Sequence, residues 1–348
     1  MTKHDHATLK TSKSEELVSY SSVKGAAERL EGIAKKTPMD FSRTFAEKSG
    51  ADKVGFKMEN FQRTGAFKLR GAYNKISRLS GEDKERGVIA ASSGNHAQGV
   101  ALAARELGVE ATIVMPENTP DAKVEATSGY GADVVLHGEE FEESKKYARK
   151  LEKEQGLTFV HPYNDPGVIA GQGTLGKEMV EQFPELNTVF VAIGGGGLIS
   201  GVATAVKHLN PDSRVVGVQT EGCGSAKQTI NREKVYERDS VDTVAKGIAT
   251  RRVGDLPAGH MRELVDEVVY VSDEQVKATV AMLAERQKVV TEPAGAVAAS
   301  AVLFSRDLGM NLEGRKVAVP LCGANTDLEK FGENCTEGKE YLEETGSG

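Results

Sequence analysis

The chain has 348 residues, of which 39% are hydrophobic and 27% charged, and its net charge is -7. This length allows one large domain or two, and the apolar content is enough for a large core. Because the charge is acidic and no basic run appears, nucleic acid is not expected as a partner.

From residue 87 onward, short β-rich runs alternate with helical periods, after a helix-like run that contains Lys68. Strands are predicted at 87–92, 111–116, 132–138, 158–163, 188–193, 214–220 and 316–323. Helices are predicted at 95–108, 120–130, 139–156, 168–183, 198–209, 273–288 and 294–308. We expect Asn95 to cap the first of these helices and Gly108 to end it. The alternation predicts an α/β fold with mostly parallel sheets and helices on both faces, with the acidic tail after Asn325 at the periphery.

The cysteines and the longest uncharged stretch bear on where the protein works. Cys223, Cys322 and Cys335 are sparse and widely spaced, which argues against disulfides and for a reducing compartment. The polar start of the chain has no apolar stretch typical of a secretory signal, so we expect a cytoplasmic protein with residues 1–17 disordered. The uncharged run 188–206 is long enough for a membrane span, but its four consecutive glycines favour a strand, a turn and a buried helix. No membrane is therefore expected as a partner.

In open α/β sheets, ligands bind at the carboxyl ends of the strands, so the loops that follow strands carry the candidate sites. Gly194, Gly195, Gly196 and Gly197 follow a buried strand and open a helix. Their N–H groups can converge on an anion at the positive end of the helix, which favours a phosphate site over a simple tight turn. The spacing is not the dinucleotide pattern G-x-G-x-x-G. In the run 171–178, Glu178 replaces the Ser or Thr that a P-loop needs.

Four other features are candidates, each with an ordinary alternative. The run Ser92–His96 offers small hydroxyls and amides that suit a carboxylate or a phosphate, although simple capping by Asn95 would also explain it. Glu292 stands before a proline at a helix start, where it either has a chemical role or only favours the helix. Cys322 ends the last strand and is either a ligand or a small buried residue. Lys68 is either a surface residue or a reactive amine in a pocket.

One cofactor would use all of these features together. Pyridoxal phosphate (PLP) forms a Schiff base with a lysine and is an aldehyde that also carries a phosphate. It places that phosphate on backbone amides and needs a partner for its pyridine nitrogen. The combination therefore predicts PLP.

The chain resembles the threonine/serine dehydratase (threonine ammonia-lyase) family, which has the tryptophan-synthase-β-like fold of PLP enzymes. The stretches that carry the resemblance are "ENFQRTGAFKLRGA" (59–72), "ASSGNHAQGVA" (91–101), "HPYNDPGVIAGQGTLGKE" (161–178), "GGGGLISGVA" (194–203), "EPAGA" (292–296) and "LCGAN" (321–325). The resemblance implies two three-layer α/β domains with mostly parallel sheets and PLP in the cleft between them. Residues 1–86 and 165–348 would form the large PLP-binding domain, and 87–164 an inserted small domain.

The resemblance also implies roles for the candidate residues. Lys68 forms the Schiff base and, once the substrate amine has displaced it, removes the Cα proton. Asn95 bonds the ring hydroxyl, and Cys322 faces the pyridine nitrogen. The implied cofactor-binding residues are Phe67, Lys68, Asn95, Gly194, Gly195, Gly196, Gly197, Glu292 and Cys322. The implied residues of the substrate carboxylate pocket are Ser92, Ser93, Gly94 and His96.

The activity implied is elimination of water from L-threonine, and from L-serine, to give 2-oxobutanoate or pyruvate and ammonia. A homo-oligomer, either a dimer or a tetramer, is implied as well. The alternatives are a serine racemase or another β-eliminating PLP enzyme of this fold, and a non-catalytic PLP-binding protein, which would not need Lys68. Two positions depart from the pattern. Ala66 replaces the usual serine, and Gln219 stands where serine racemases carry a metal-binding carboxylate. A divalent or monovalent cation is left open, with Glu221 as a nearby candidate.

Overall fold

The structure is a computed structural model that describes residues 17–232 and 234–346. The disorder predicted for residues 1–17 concerns, except for Leu17, residues outside this part. Ten strands are described: β1 Met39–Phe41, β2 Lys53–Lys57, β3 Val88–Ala91, β4 Ala111–Met115, β5 Asp133–Leu136, β6 Thr158–Phe159, β7 Thr188–Ala192, β8 Arg214–Thr220, β9 Glu267–Val271 and β10 Lys316–Pro320. The described α-helices are α1 Tyr20–Leu30, α2 Arg43–Ser49, α3 Lys68–Ser77, α4 Gly81–Arg86, α5 Asn95–Leu107, α6 Asp121–Ser128, α7 Phe141–Gln155, α8 Pro166–Gln182, α9 Gly197–Leu209, α10 Ala226–Ile230, α11 Asp255–Leu264, α12 Asp273–Met282, α13 Pro293–Leu303 and α14 Leu328–Glu344.

The strands form two sheets. The larger has the order β1-β2-β10-β7-β8-β9, and all of its neighbours are parallel except β1 and β2. Its central strands β7 and β10 read as continuous apolar runs because helices cover both faces. The predicted α/β fold with mostly parallel sheets is confirmed.

The smaller sheet has the order β5-β4-β3-β6 and is parallel throughout. Its strands lie between Val88 and Phe159, within the range predicted for the inserted domain, whose boundaries at 87 and 164 stay a prediction. Leu69, Ala72 and Ile76 of α3 are buried in the same apolar cluster as this sheet. The helix that begins with Lys68 therefore packs against the smaller sheet, although its sequence precedes it.

Several helices and strands end at residues other than those predicted. Asn95 is the first residue of α5 and does not cap it, because Gly94 occupies the cap position. Gly108 ends that helix in the left-handed conformation with φ 65°, as predicted. The strand predicted at 158–163 ends at Phe159, since Pro162 has no N–H to extend the ladder. The helix predicted at 273–288 changes after Met282 into a π-helical turn.

The acidic stretch after Asn325 is more than the peripheral tail that the sequence analysis expected. It forms α14, a helix of 17 residues. A Cβ built on Gly338 would lie 2.2 Å from the carbonyl oxygen of Lys277 in α12. The two helix backbones therefore approach closely at this glycine, and α14 is docked on the fold.

Candidate active site

The topology brings the predicted loops to one edge of the larger sheet. Strands β2, β10 and β7 are adjacent and parallel, so the segments that follow them leave from the same edge. These segments contain Lys68, Cys322 and Gly194–Gly197, respectively. Strand β3 of the smaller sheet leads into the candidate loop 92–96, and β6 leads into the segment 160–165.

The segment before Lys68 is held by the loop that follows β10. Ala66 and Gly323 form an isolated antiparallel bridge, and Phe67 N–H donates to the carbonyl of Cys322 at 3.2 Å. Ala324 N–H donates in turn to the carbonyl of Gly65, which has the left-handed φ of 70° that glycine permits. These contacts fix the lysine beside the cysteine loop.

The amine of Lys68 lies between segments that follow strands of both sheets. Lys68 is the first residue of α3, and its Nζ donates a hydrogen bond to the carbonyl of Pro162 at 3.2 Å. The Nζ also lies 5.0 Å from the centroid of the Phe67 ring. Desolvation by the surrounding protein lowers the pKa of Lys68 to about 8, although neighbouring Cys322 and Glu292 act in the opposite direction. The amine can therefore lose its proton far more easily than a lysine in water.

The four glycines form a cradle whose amides are unused. Helix α9 begins at Gly197, and none of the N–H groups of Gly194–Gly197 donates to an acceptor in the part of the chain described. Gly196 has a φ of 92°, which side-chain-bearing residues rarely adopt. Free amides at a helix N-terminus are suited to a phosphate, so this loop fits the phosphate of PLP.

No side chain could be added to the cradle without moving a neighbour. A Cβ on Gly195 would lie 2.2 Å from Cδ1 of Tyr163, and one on Gly197 would lie 2.8 Å from the Cα of the same tyrosine. A Cβ on Gly194 would meet the Cα of Ile248 at 3.1 Å. Tyr163 thus covers the cradle, while the carbonyl of the preceding residue, Pro162, binds the Lys68 amine.

A second group of free amides lies at the start of α5. The N–H groups of Ser93, Asn95 and His96 have no acceptor among the described residues, whereas Gly94 N–H donates to the Ser92 hydroxyl at 3.2 Å. The amides at this helix start suit a carboxylate. The His96 ring has no donor left for one, because its Nε2 bonds the carbonyl of Val160 at 2.8 Å and burial lowers its pKa to about 3.

Glu292 and two asparagines form a hydrogen-bonded chain across the cleft. Asn95 Nδ2 donates to Oε1 of Glu292 at 2.6 Å, and Asn325 Nδ2 donates to Oδ1 of Asn95 at 2.8 Å. Asn325 also donates to the carbonyl of Thr64 at 2.7 Å, just before the lysine segment. Desolvation raises the pKa of Glu292 to about 7.

Cys322 lies next to this group. Its thiol donates to the carbonyl of Pro320 at 3.6 Å, and burial raises its pKa, so it remains a neutral thiol at physiological pH. A Cβ on the next residue, Gly323, would lie 2.5 Å from Oε1 of Glu292 and 3.2 Å from Nδ2 of Asn95. The structure thus brings together Lys68, Cys322, Glu292 and Asn95.

Pro162, Tyr163 and the loop 248–254 lie against this region and were missed by the sequence analysis. Pro162 and Tyr163 stand in the quoted run "HPYNDP" but carry no chemical pattern of their own. The hydroxyl of Thr250 is buried without a partner among the described residues. Its loop packs on the cradle, since Gly254 N–H donates to the carbonyl of Gly195 at 3.0 Å. Only the topology reveals that this loop belongs to the site.

The loop at Gln219 and Glu221, which was considered above as a cation site, provides few ligands for a cation. The carboxamide oxygen of Gln219 already accepts the N–H groups of Ser225 and Ala226 at 2.9 and 2.8 Å. Within residues 17–232 and 234–346, no three histidine, cysteine or acidic side chains group closely enough to hold a metal ion. We therefore assign no cation to this loop.

Residues 30–323 match the family of pyridoxal-phosphate dependent enzymes. The chain belongs to this family. The L-threonine ammonia-lyase of Thermotoga maritima is 44% identical over 312 residues, which are 90% of this chain and 77% of that protein. The processed form of threonine deaminase isoform 2 from Solanum lycopersicum superposes with a TM-score of 0.87 at 35% identity, over 91% of this chain and 87% of that one. Serine racemase from maize superposes with a TM-score of 0.87 at 35% identity, over 94% of this chain and 100% of that one.

The predicted tryptophan-synthase-β-like fold and the PLP cofactor are thereby confirmed, and so is the prediction of an enzyme. The roles assigned to individual residues stay predictions. None of the helices in the part of the chain that the structure covers is long and apolar enough to cross a membrane.

Proposed function

We propose that the chain is a PLP-dependent threonine ammonia-lyase, a carbon-nitrogen lyase that converts L-threonine to 2-oxobutanoate and ammonia, and L-serine to pyruvate and ammonia. The observation that carries the proposal is the loop at Pro162 and Tyr163. It contacts the Lys68 amine on one side and the glycine cradle on the other. The names of the bacterial and plant relatives support threonine as the substrate.

Each part of the cofactor has a group suited to it. When bound, PLP supplies an aldehyde that condenses with amines and a ring that withdraws electrons from the substrate Cα. The amides of Gly194–Gly197 would hold its phosphate, and Lys68 would bind its aldehyde. Phe67 would pack beside the ring, with Asn95 and Glu292 at its edge. Cys322, a neutral thiol, would face the pyridine nitrogen.

The substrate would be bound and deprotonated by neighbouring groups. The free amides of Ser93, Asn95 and His96 would hold its carboxylate, with Ser92 and Gly94 completing the loop. His96 would therefore contribute its backbone and not its ring. Lys68, with a pKa of about 8, would take the Cα proton near neutral pH. The Cα proton and the β-hydroxyl together make up the water that is lost, and the released enamine tautomerises to an imine whose hydrolysis gives the oxo acid and ammonia.

The thiol of Cys322 bears on which reaction follows. A carboxylate facing the ring nitrogen would keep that nitrogen protonated and strengthen electron withdrawal, whereas a neutral thiol would not. Weaker withdrawal would shorten the life of the carbanion and favour prompt elimination over transamination.

The proposal is tested by the spectrum of the purified protein, borohydride reduction and peptide mapping. We expect a visible imine band, trapped on Lys68, and oxo-acid release from threonine. Lys68→Ala should abolish all three, while Lys330→Ala, a matched change at an exposed lysine of α14, should leave them intact. The absence of an imine band in the wild-type protein after addition of PLP would overturn the proposal.

A serine racemase is the second candidate, because the maize enzyme superposes over its whole length. Chiral analysis of the products from L-serine separates the two. Accumulation of D-serine faster than pyruvate would favour the racemase, and oxo acid without D-serine would favour the lyase.

We also propose a cytoplasmic location and a homo-oligomeric state. All three cysteines are free, which supports a reducing compartment. Light scattering of the purified protein would distinguish a dimer or tetramer from a monomer.

A further inference from the structure

A buried group of charges surrounds Arg70, two residues after Lys68. The guanidinium makes a two-pronged contact with Glu59, from Nε to Oε2 and from Nη2 to Oε1, both at 2.8 Å. It makes a second such contact with Glu178, at 2.7 and 3.0 Å. Further bonds reach Oγ1 of Thr174 and the carbonyl of Lys35. Arg70 and Glu59 have side-chain exposures of 1% and 0%, and Glu178 has 16%, so the network is internal except at Glu178.

The network is balanced in charge. Lys57 supplies the second cation, and its Nζ bonds Oε2 of Glu178 at 2.5 Å and the carbonyl of Thr37 at 2.6 Å. Two cations thus face two carboxylates. Buried ion groups cost much desolvation and often stabilise a protein less than apolar residues of the same size would. Such a group instead fixes the relative orientation of its members, because a planar guanidinium with all its donors used holds its partners in one geometry.

The network around Arg70 fixes the first turn of α3. Lys68 begins this helix, and the residue at its cap position, Phe67, makes no side-chain capping bond. An uncapped helix start tends to fray. Arg70 lies in that first turn and ties it to Glu59, just after β2, and to Glu178 in α8.

Two glycines, in α8 and α5, lie close to the backbone of the same turn. A Cβ on Gly171 of α8 would lie 2.4 Å from the carbonyl oxygen of Arg70, and one on Gly99 of α5 would lie 3.0 Å from the carbonyl carbon of Lys68. The backbone of this turn is therefore enclosed by α5 and α8, while Arg70 anchors it from within. Residues two apart on a helix face different directions, so the network does not touch the lysine amine itself.

We propose that Arg70 is a positioning residue for Lys68: its paired contacts with Glu59 and Glu178 anchor the first turn of a helix that has no side-chain cap, and so hold the lysine where it can bond the PLP aldehyde. This inference rests on the proposed function, in which Lys68 carries the cofactor. It assigns to Arg70 the orientation of the amine and no direct contact with cofactor or substrate.

Arg70→Lys tests the proposal, because it keeps the charge but removes the paired contacts. The cofactor-free protein is mixed with PLP, and the rate of imine formation is followed by absorbance. The affinity for pyridoxamine phosphate, which has the phosphate but no aldehyde, is measured in parallel. We expect imine formation to slow about tenfold, as for a reacting group displaced by a fraction of an ångström, with pyridoxamine phosphate affinity changed less than about twofold.

Arg63→Lys is the matched control, since Arg63 stands five residues before Lys68 in the same segment but bonds the partly exposed Glu106. It should leave both measurements unchanged. Glu178→Gln, at the more accessible end of the network, is the second variant should Arg70→Lys not fold, and we expect about threefold slower imine formation. An unchanged imine rate in either variant overturns the proposal, and so does a parallel loss of pyridoxamine phosphate binding. Failure of the wild-type protein to form an imine would instead overturn the proposed function.

Discussion

A methyl group at Gly195 would occupy space that the ring of Tyr163 now fills. The Cβ of an alanine there would lie 2.2 to 2.3 Å from three ring carbons, more than 1 Å inside ordinary contact. Either the ring or the cradle must move by roughly that amount, and overpacking of this kind costs about 1 to 3 kcal/mol. If the cradle moves, its amides no longer converge on a phosphate. We therefore expect Gly195→Ala to weaken phosphate-ester binding by about 5- to 150-fold.

Equilibrium dialysis of the cofactor-free protein with pyridoxamine phosphate measures this loss without any contribution from Lys68. A double-mutant cycle with Tyr163→Ala then identifies its cause. Without the ring, the added methyl group has room, so Gly195→Ala should cost less than about threefold in the Tyr163→Ala background. Gly332→Ala, where a Cβ meets nothing within 4 Å, is the control and should not change affinity.

Two results would refute this reasoning. Wild-type affinity in Gly195→Ala would mean that the cradle does not hold the phosphate. An equal loss in both backgrounds would mean that the methyl group acts on the ligand directly and that Tyr163 plays no part in shaping the cradle.

Three further predictions concern stability. Burial raises the pKa of Glu292 from 4.5 to about 7, so between these pH values the folded cofactor-free chain holds a proton that the unfolded chain releases. The free energy of unfolding should therefore fall by about 3 kcal/mol from pH 4.5 to 7, relative to that of Glu292→Gln. Urea unfolding at several pH values measures this, and a difference between the two proteins that does not change with pH would contradict it. Gly338→Ala should destabilise the protein by about 1 to 3 kcal/mol, because its Cβ would lie 2.2 Å from the Lys277 carbonyl oxygen. Gly332→Ala in the same helix has room for its Cβ and should stabilise the protein by up to about 1 kcal/mol. Equal melting temperatures of the two variants would show that α14 is not docked. Lys288→Gly should raise stability by a few tenths to about 1 kcal/mol, because Lys288 has a φ of 59°, and a lower melting temperature would contradict this.

The sequence predicted those parts of the fold in which apolar periods are long. Strand β7 and helix α9 were predicted within one residue of their ends, since a continuous buried strand and a glycine turn leave few alternatives. Strand β1 has three residues and helix α2 has seven, too short for a period to be recognised. Helix α14 was missed because its charged residues conceal the glycine and leucine that face α12.

The residues of the site likewise fall into those that the sequence could predict and those that it could not. Gly194–Gly197 and Lys68 were predictable because each belongs to a local pattern with a chemical purpose. Tyr163 and Arg70 were not, since their importance comes from contacts with residues far away in the chain. Tyr163 covers a glycine loop that lies on another sheet, and no local pattern encodes such a contact.

Burial decides the charge of the site. Desolvation lowers the pKa of Lys68 to about 8 and raises that of Glu292 to about 7. An ionised carboxylate would keep the amine protonated, but Glu292 resists ionisation for the same reason that Lys68 resists protonation. Near neutral pH the charged and neutral forms of both groups are therefore close in free energy, which is the condition under which one amine can both take and release a proton. His96, with a pKa of about 3, stays neutral throughout this range and cannot share the task. Of these three groups, Lys68 and Glu292 are thus the two whose protonation can change near neutral pH.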